Sequence, residues 1–163
     1  MEFLNKLNER LNQLLIQIAG FFLVIMILLT CANIFFRLVW VPVRGTFELM
    51  GFFQAIVAAF ALGYTQMKQG HISVDILINN FSEKTKRILN AINDLICFVF
   101  FVFVAWQMVK MAETLRTTGE VTETLRIIYY PFTYAVAFGC LTLALVFLTG
   151  LMSAMISGEG GKN

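Results

Sequence analysis

The chain has 163 residues, of which 59% are hydrophobic and only 13% charged, with a formal net charge of +2. So little charge, at a mean hydropathy of +0.79, does not cover the surface of a water-soluble domain and points to a membrane protein. A charge of +2 without a basic, aromatic-interleaved patch excludes a nucleic-acid-binding function.

Residues 1–13 open the chain. Leu4, Leu7, Leu11, Leu14 and Ile18 recur at a 3-4-3-4 spacing, and Asn5, Lys6, Asn8, Glu9, Arg10, Asn12 and Gln13 fill the other face. Two readings fit. One is an amphipathic helix lying in the membrane interface before the chain turns into the bilayer. The other is a plain helical extension of the first span. That span, residues 14–36, reads LLIQIAGFFLVIMILLTCANIFF. It exceeds the roughly 7–15 residues of a signal-peptide core and lacks an A-x-A site, so a retained signal anchor is expected.

The second apolar run covers 47–67. Glu48 stands near its start, with Arg37 and Arg44 in the preceding connection. Either an ion pair with one of these arginines or the positive end of the helix dipole accounts for a carboxylate there. An ion-coupling carboxylate is the sharper alternative. Gly51, Ala55, Ala59 and Gly63 follow at four-residue intervals. Such a stripe lets another helix approach closely, in this chain or in another.

The stretch QMKQGHISVD, residues 66–75, closes this span and holds the one histidine of the chain. Gly70 is placed to end the helix, with Lys68 and His71 near its negative terminus. Asp75 is within one turn of His71, and residues 72–81 form a short amphipathic stretch. The residues themselves read as a turn with interface anchors.

The third run, 88–109, carries Asn90, Asn93 and Asp94 in its first two turns, at an i, i+3, i+4 spacing that places them on one face, suited to a hydrogen-bonded contact with another helix. The fourth run, 131–155, opens at Pro131 and has Ala135 and Gly139, then Gly150, Ala154 and Gly158, again four apart. Each run meets the roughly 17–25 residues needed to cross the hydrocarbon core, where the backbone must satisfy its own hydrogen bonds. The expected fold is therefore an all-α membrane protein: one domain, 1–163, of four transmembrane helices with amphipathic interfacial helices.

Lys6, Arg10, Lys68, Lys84, Lys86, Arg87 and Lys162 fall at the end that holds the termini, and Arg37, Arg44, Lys110, Arg116 and Arg126 at the other. Seven against five favours cytoplasmic termini. Trp40, Trp106, Tyr129 and Tyr130 then lie at the outer interface. Cys31, Cys97 and Cys140 are isolated and form no CxxC pair, one histidine cannot build a bis-histidine haem or a histidine zinc site, and no Gly-rich phosphate loop occurs. No enzyme activity and no cofactor are expected of the chain.

Glu48 at the start of the second span, the stretch Lys68, Gly70, His71, Ile72, Val74, Asp75 about 20 residues on, and Pro131 with Gly139 eight residues later together resemble the small membrane subunit, DctQ type, of tripartite ATP-independent periplasmic (TRAP) transporters. Two positions depart from the pattern: Phe132 and Tyr134 stand where that family often has Trp, and Glu48 is alone where it often has paired acids. The resemblance implies a non-catalytic scaffold in the bacterial or archaeal inner membrane. It also implies a large membrane subunit (M type) that binds substrate and sodium, and a periplasmic substrate-binding protein (P type) that delivers an organic acid. Membrane lipids are the remaining expected partner. Arg44, Arg116, Glu120, Glu123 and Arg126 are the charged candidates for docking the binding protein. Two other classes stay open: a small self-contained dimeric transporter built around Glu48 or Asp94, and a membrane subunit of an oxidoreductase.

Overall fold

The computed structural model describes residues 2–68 and 83–156. Among them are four helices: α1 (Glu2–Val39), α2 (Thr46–Met67), α3 (Glu83–Thr118) and α4 (Tyr130–Ile156). All four are long and apolar enough to cross a membrane. Gly70, His71, Asp75, Gly158 and the amphipathic 72–81 stretch lie outside the described residues.

The breaks between helices follow local chemistry. At the α1–α2 turn, Asn33 accepts the Val43 N–H at 3.0 Å and the Thr46 hydroxyl donates to the Val43 carbonyl at 2.7 Å. Gly45 turns the chain in the left-handed region at φ 74°, which glycine adopts without steric penalty. Gly119, at φ 67°, ends α3, and its N–H bonds the Leu115 carbonyl at 3.1 Å. Pro131 sits in the first turn of α4, where a missing N–H costs no helix bond.

α1 is unbroken over 38 residues, about 57 Å at 1.5 Å per residue. It outreaches the roughly 30 Å hydrocarbon core. Of the two readings of residues 1–13, the helix shows its described part continuous with the span. Its polarity is also inverted relative to a surface helix. Leu4, Leu7 and Leu14 are 46%, 51% and 58% exposed, whereas Asn8, Asn12, Leu15 and Ala19 are buried. In lipid the solvent is apolar, so amide groups gain by turning inward to partners and leucines lose nothing by facing out.

α4 and α2 pack against each other at the centre. α1 lies mainly on α2, with a smaller contact to α4, and α3 rests on α4. Leu15, Ala19, Ile56, Ala59 and Phe60 form the core between α1 and α2, with Phe132 and Val136 of α4 against it. Phe52 stacks on Phe132 with ring centroids 4.1 Å apart, and Phe101 on Phe147 at 5.9 Å. Outward, α3 exposes Ile88, Ile96, Val99, Phe100 and Phe103, as a lipid-facing helix does.

The small-residue stripe of α2 divides in two. A side chain on Gly139 of α4 would meet the Ala59 carbonyl oxygen at 2.7 Å, so Gly139 packs directly on the α2 backbone. Gly63 is closed off by Asn12, Ala55 is half-buried, and Gly51 is exposed with nothing near it. The packing half of the stripe thus serves this chain itself.

Gly139→Leu is expected to destabilise the isolated chain in detergent by about 1–3 kcal/mol, the usual cost of overpacking. Gly51→Leu should leave the melting temperature unchanged. Thermal unfolding followed by circular dichroism separates the two, and equal melting temperatures would contradict the α2–α4 contact.

Candidate functional site

The polar chemistry gathers at the two ends of the bundle. At one end lies the start of α2. Glu48 is in the first helical turn, and its carboxylate accepts the backbone N–H of Thr124 at 2.7 Å on one oxygen and that of Leu125 at 3.0 Å on the other. These donors belong to the α3–α4 connection. There Val121 and Ile128 form an antiparallel bridge, and the Thr122 N–H bonds the Ile127 carbonyl at 2.9 Å. The buried Thr122 hydroxyl accepts the Ile127 N–H at 3.0 Å. Arg126 takes a left-handed φ of 54° to close the turn. Two successive N–H groups are thereby presented together, the arrangement that cradles anions elsewhere in proteins. The Leu125 side chain occupies the space where a side chain on Gly45 would go.

The expected pairing of Glu48 with Arg37 or Arg44 is corrected by this geometry. Its partners are two main-chain donors on the other loop, while its place in the first turn of α2 leaves it at the positive end of the helix. Arg37 and Arg44 are both exposed. Fixed backbone donors need no side-chain ordering to hold a carboxylate, whereas a long arginine side chain does.

Arg44, Arg116, Glu120, Glu123 and Arg126 are all exposed at this end. Arg116 lies 3.8 Å from Glu113, a residue that the sequence reading passed over. Glu113 also receives the Tyr134 hydroxyl at 2.7 Å. Lys110 holds its ammonium 3.9 Å from the centre of the Trp106 ring.

At the opposite end polar side chains of α1, α3 and α4 meet neighbouring helices. The fully buried Asn12 of α1 donates its amide to the Asn8 carbonyl and side-chain oxygens at 2.9 and 2.8 Å. Asn8 donates to the Thr149 hydroxyl of α4 at 3.2 Å. The Asn12 side-chain oxygen has no hydrogen-bond donor and fits into the gap left by Gly63 of α2. Asp94 of α3 faces Gly150 of α4, with its carboxylate 2.9 Å from where a β-carbon would stand. Asn90, Asn93 and Asp94 share a face of α3 about 100° wide, but only Asp94 is half-buried, toward α4, while Asn90 and Asn93 are exposed. Asp94 sits at the edge of the face that meets α4, and a 100° step per residue turns Asn93 away from it. Lys68 ends α2 here, exposed, with its ammonium 5.9 Å from the Tyr64 ring centre. Asn8, Asn12 and Thr149 were not among the expected site residues. The signal was present as Asn8, Asn12, Leu15 and Ala19, a 4-3-4 spacing that marks the inward stripe.

These groups fasten loop to helix at one end and helix to helix at the other. Residues 26–155, most of the chain, match the family described as the DctQ component of tripartite ATP-independent periplasmic transporters. No curated protein and no solved structure matches the chain.

Glu48→Gln should release one of the two N–H bonds, because the amide turns a donor toward a donor, and Glu48→Lys should release both. Amide hydrogen exchange at Thr124 and Leu125 is expected to quicken in the order wild type, Gln, Lys. Arg37→Gln and Arg44→Gln should leave it unchanged; acceleration in either arginine variant would argue for a charge pair instead.

Gly63→Ala should lower the melting temperature, since the added methyl takes the space of the Asn12 oxygen. Combining it with Asn12→Ala should recover part of the loss. Additive losses in the double variant would show that the two sites are not in contact.

Proposed function

The chain belongs to the DctQ family, the small membrane component of TRAP transporters, and we propose that it is the scaffold on which a large sodium-coupled subunit and a substrate-binding protein meet. The family is a transporter component and not an enzyme. The observation that carries the scaffold reading is the Glu48 grip on Thr124 and Leu125. A carboxylate that serves as a loop anchor at a helix start is suited to fixing a surface. The polar side chains with partners described above lie toward the two ends of the bundle, and apolar contacts fill the middle.

In this reading the large M-type subunit carries substrate and sodium, and the present chain binds no cofactor. The excess of basic residues at the terminal end supports cytoplasmic termini. That orientation sets the Glu48 end in the periplasm of an inner-membrane protein. Arg44, Arg116, Glu120, Glu123 and Arg126 then face the binding protein that brings an organic acid. Lys68, Gly70, His71 and Asp75 belong to the cytoplasmic turn, as anchors or as a contact with the large subunit. Exposed charges at such a surface govern encounter rate and orientation more than affinity.

Glu120→Lys combined with Glu123→Lys is expected to change association of the binding protein by roughly tenfold at low salt, with the difference vanishing at high salt. The complex with the large subunit should stay intact on size exclusion. Reconstituted alone in liposomes, the chain should take up no organic acid. Sodium-dependent uptake by the isolated chain would overturn the scaffold reading in favour of a small transporter.

A further inference from the structure

An apolar groove of about 380 Å³ runs between α3 and α4. Val102, Trp106 and Val109 line it from α3, and Tyr134, Phe138 and Leu141 from α4. From Val102 to Val109 it follows α3 for about 10 Å. Lys110 stands at its upper end, one turn beyond Trp106, with its ammonium held 3.9 Å from the Trp106 ring centre. Among the described residues no carboxylate pairs with Lys110. Glu113, the acid one turn away, is engaged by Arg116 and by the Tyr134 hydroxyl. The local balance of Lys110, Arg116 and Glu113 is therefore one positive charge.

We propose that this groove is a selective site for an anionic phospholipid, with an acyl chain between α3 and α4 and the headgroup phosphate at Lys110. The reasons are its composition and its polarity along the helix axis. The lining is almost wholly apolar and belongs to segments that cross the membrane, so the medium that meets it is hydrocarbon. Lys110, without a carboxylate partner among the described residues, sits at one end of the groove, at the level of Trp106 and Tyr134, rings of the kind that settle at the headgroup boundary. Holding the lysine over Trp106 keeps its charge beside the groove mouth instead of letting it reach freely into water. A basic residue near a membrane surface attracts anionic lipid with an energy that corresponds to roughly fivefold enrichment. The site is independent of which subunit handles substrate.

The test uses the full chain in its transporter assembly. Phe138 is replaced by the photoreactive p-benzoylphenylalanine, and the assembly is reconstituted in vesicles of equal phosphatidylglycerol and phosphatidylcholine. After irradiation, mass spectrometry of this chain reads the adducts. Phosphatidylglycerol adducts are expected to exceed phosphatidylcholine adducts roughly fivefold. Lys110→Gln should bring the ratio to about one, and Lys110→Arg should retain it. A ratio near one in the parent protein, or one that Lys110→Gln leaves unaltered, overturns the proposal. So does a cross-link to another protein or to a second copy of the chain, which would make the groove a helix-docking site.

Discussion

The close approach of α4 to α2 is the contact on which the bundle depends. Lipid tails are as apolar as leucine, so helices gain nothing by hiding apolar surface from them, and association rests on close packing and on polar bonds between helices. Gly139 supplies the first by laying the α4 backbone directly on Ala59. The other two helices join through this pair, α1 mainly on α2 and α3 on α4. An added side chain at Gly139 would therefore separate the two halves that carry everything else.

Polar fastenings then fix what close packing leaves free, namely the register of helices and the position of loops. Asn8 and Asn12 tie α1 to α4 and α2 at the terminal end. Glu48 ties the α3–α4 connection to α2 at the other. The two devices differ in kind. Asn12 is wholly buried with one oxygen unsatisfied, a group whose removal or mispairing is felt strongly in a medium without water. Glu48 lies at the rim, where its value is directional: two N–H groups aimed at one carboxylate define where residues 122–127 sit.

The sequence was most legible where a single rule dominates. Length and hydropathy alone marked four helices, because the bilayer sets a minimum span and forbids unpaired backbone. Glu48, Gly63, Gly139 and Asp94 stood out as polar or small residues in apolar surroundings, and each makes a specific contact. The partners were not legible. Thr124 and Leu125 act through backbone N–H groups, which any residue but proline possesses, across more than seventy positions of chain. Asn8 and Asn12 were visible, on the face opposite the leucines, but not as contacts with the other helices. The 3-4-3-4 leucines marked the apolar face correctly, but spacing alone does not tell that the amide face opposite them turns to other helices and not to headgroups. Asn93 is turned 100° from Asp94 and Asn90 lies one turn before it, so of the three only Asp94 is half-buried against α4, a distinction that composition does not carry.

A fixed loop matters more to a scaffold than to an isolated membrane protein. Ordering a surface segment on contact with a partner subtracts from affinity, and a segment already ordered avoids that loss. The connection from Gly119 to Tyr129 is short, internally bonded through Thr122 and Ile127, capped by Leu125 on Gly45, and clamped by Glu48. Its charged residues are left pointing outward from a base that has little freedom. The same end carries Trp106, Lys110 and Tyr134, so that the proposed docking surface and the proposed lipid site both rise from the α3–α4 pair. A lipid held there would lie between α3 and α4, the one helix against which α3 chiefly rests. It would steady the element from which the docking loop departs.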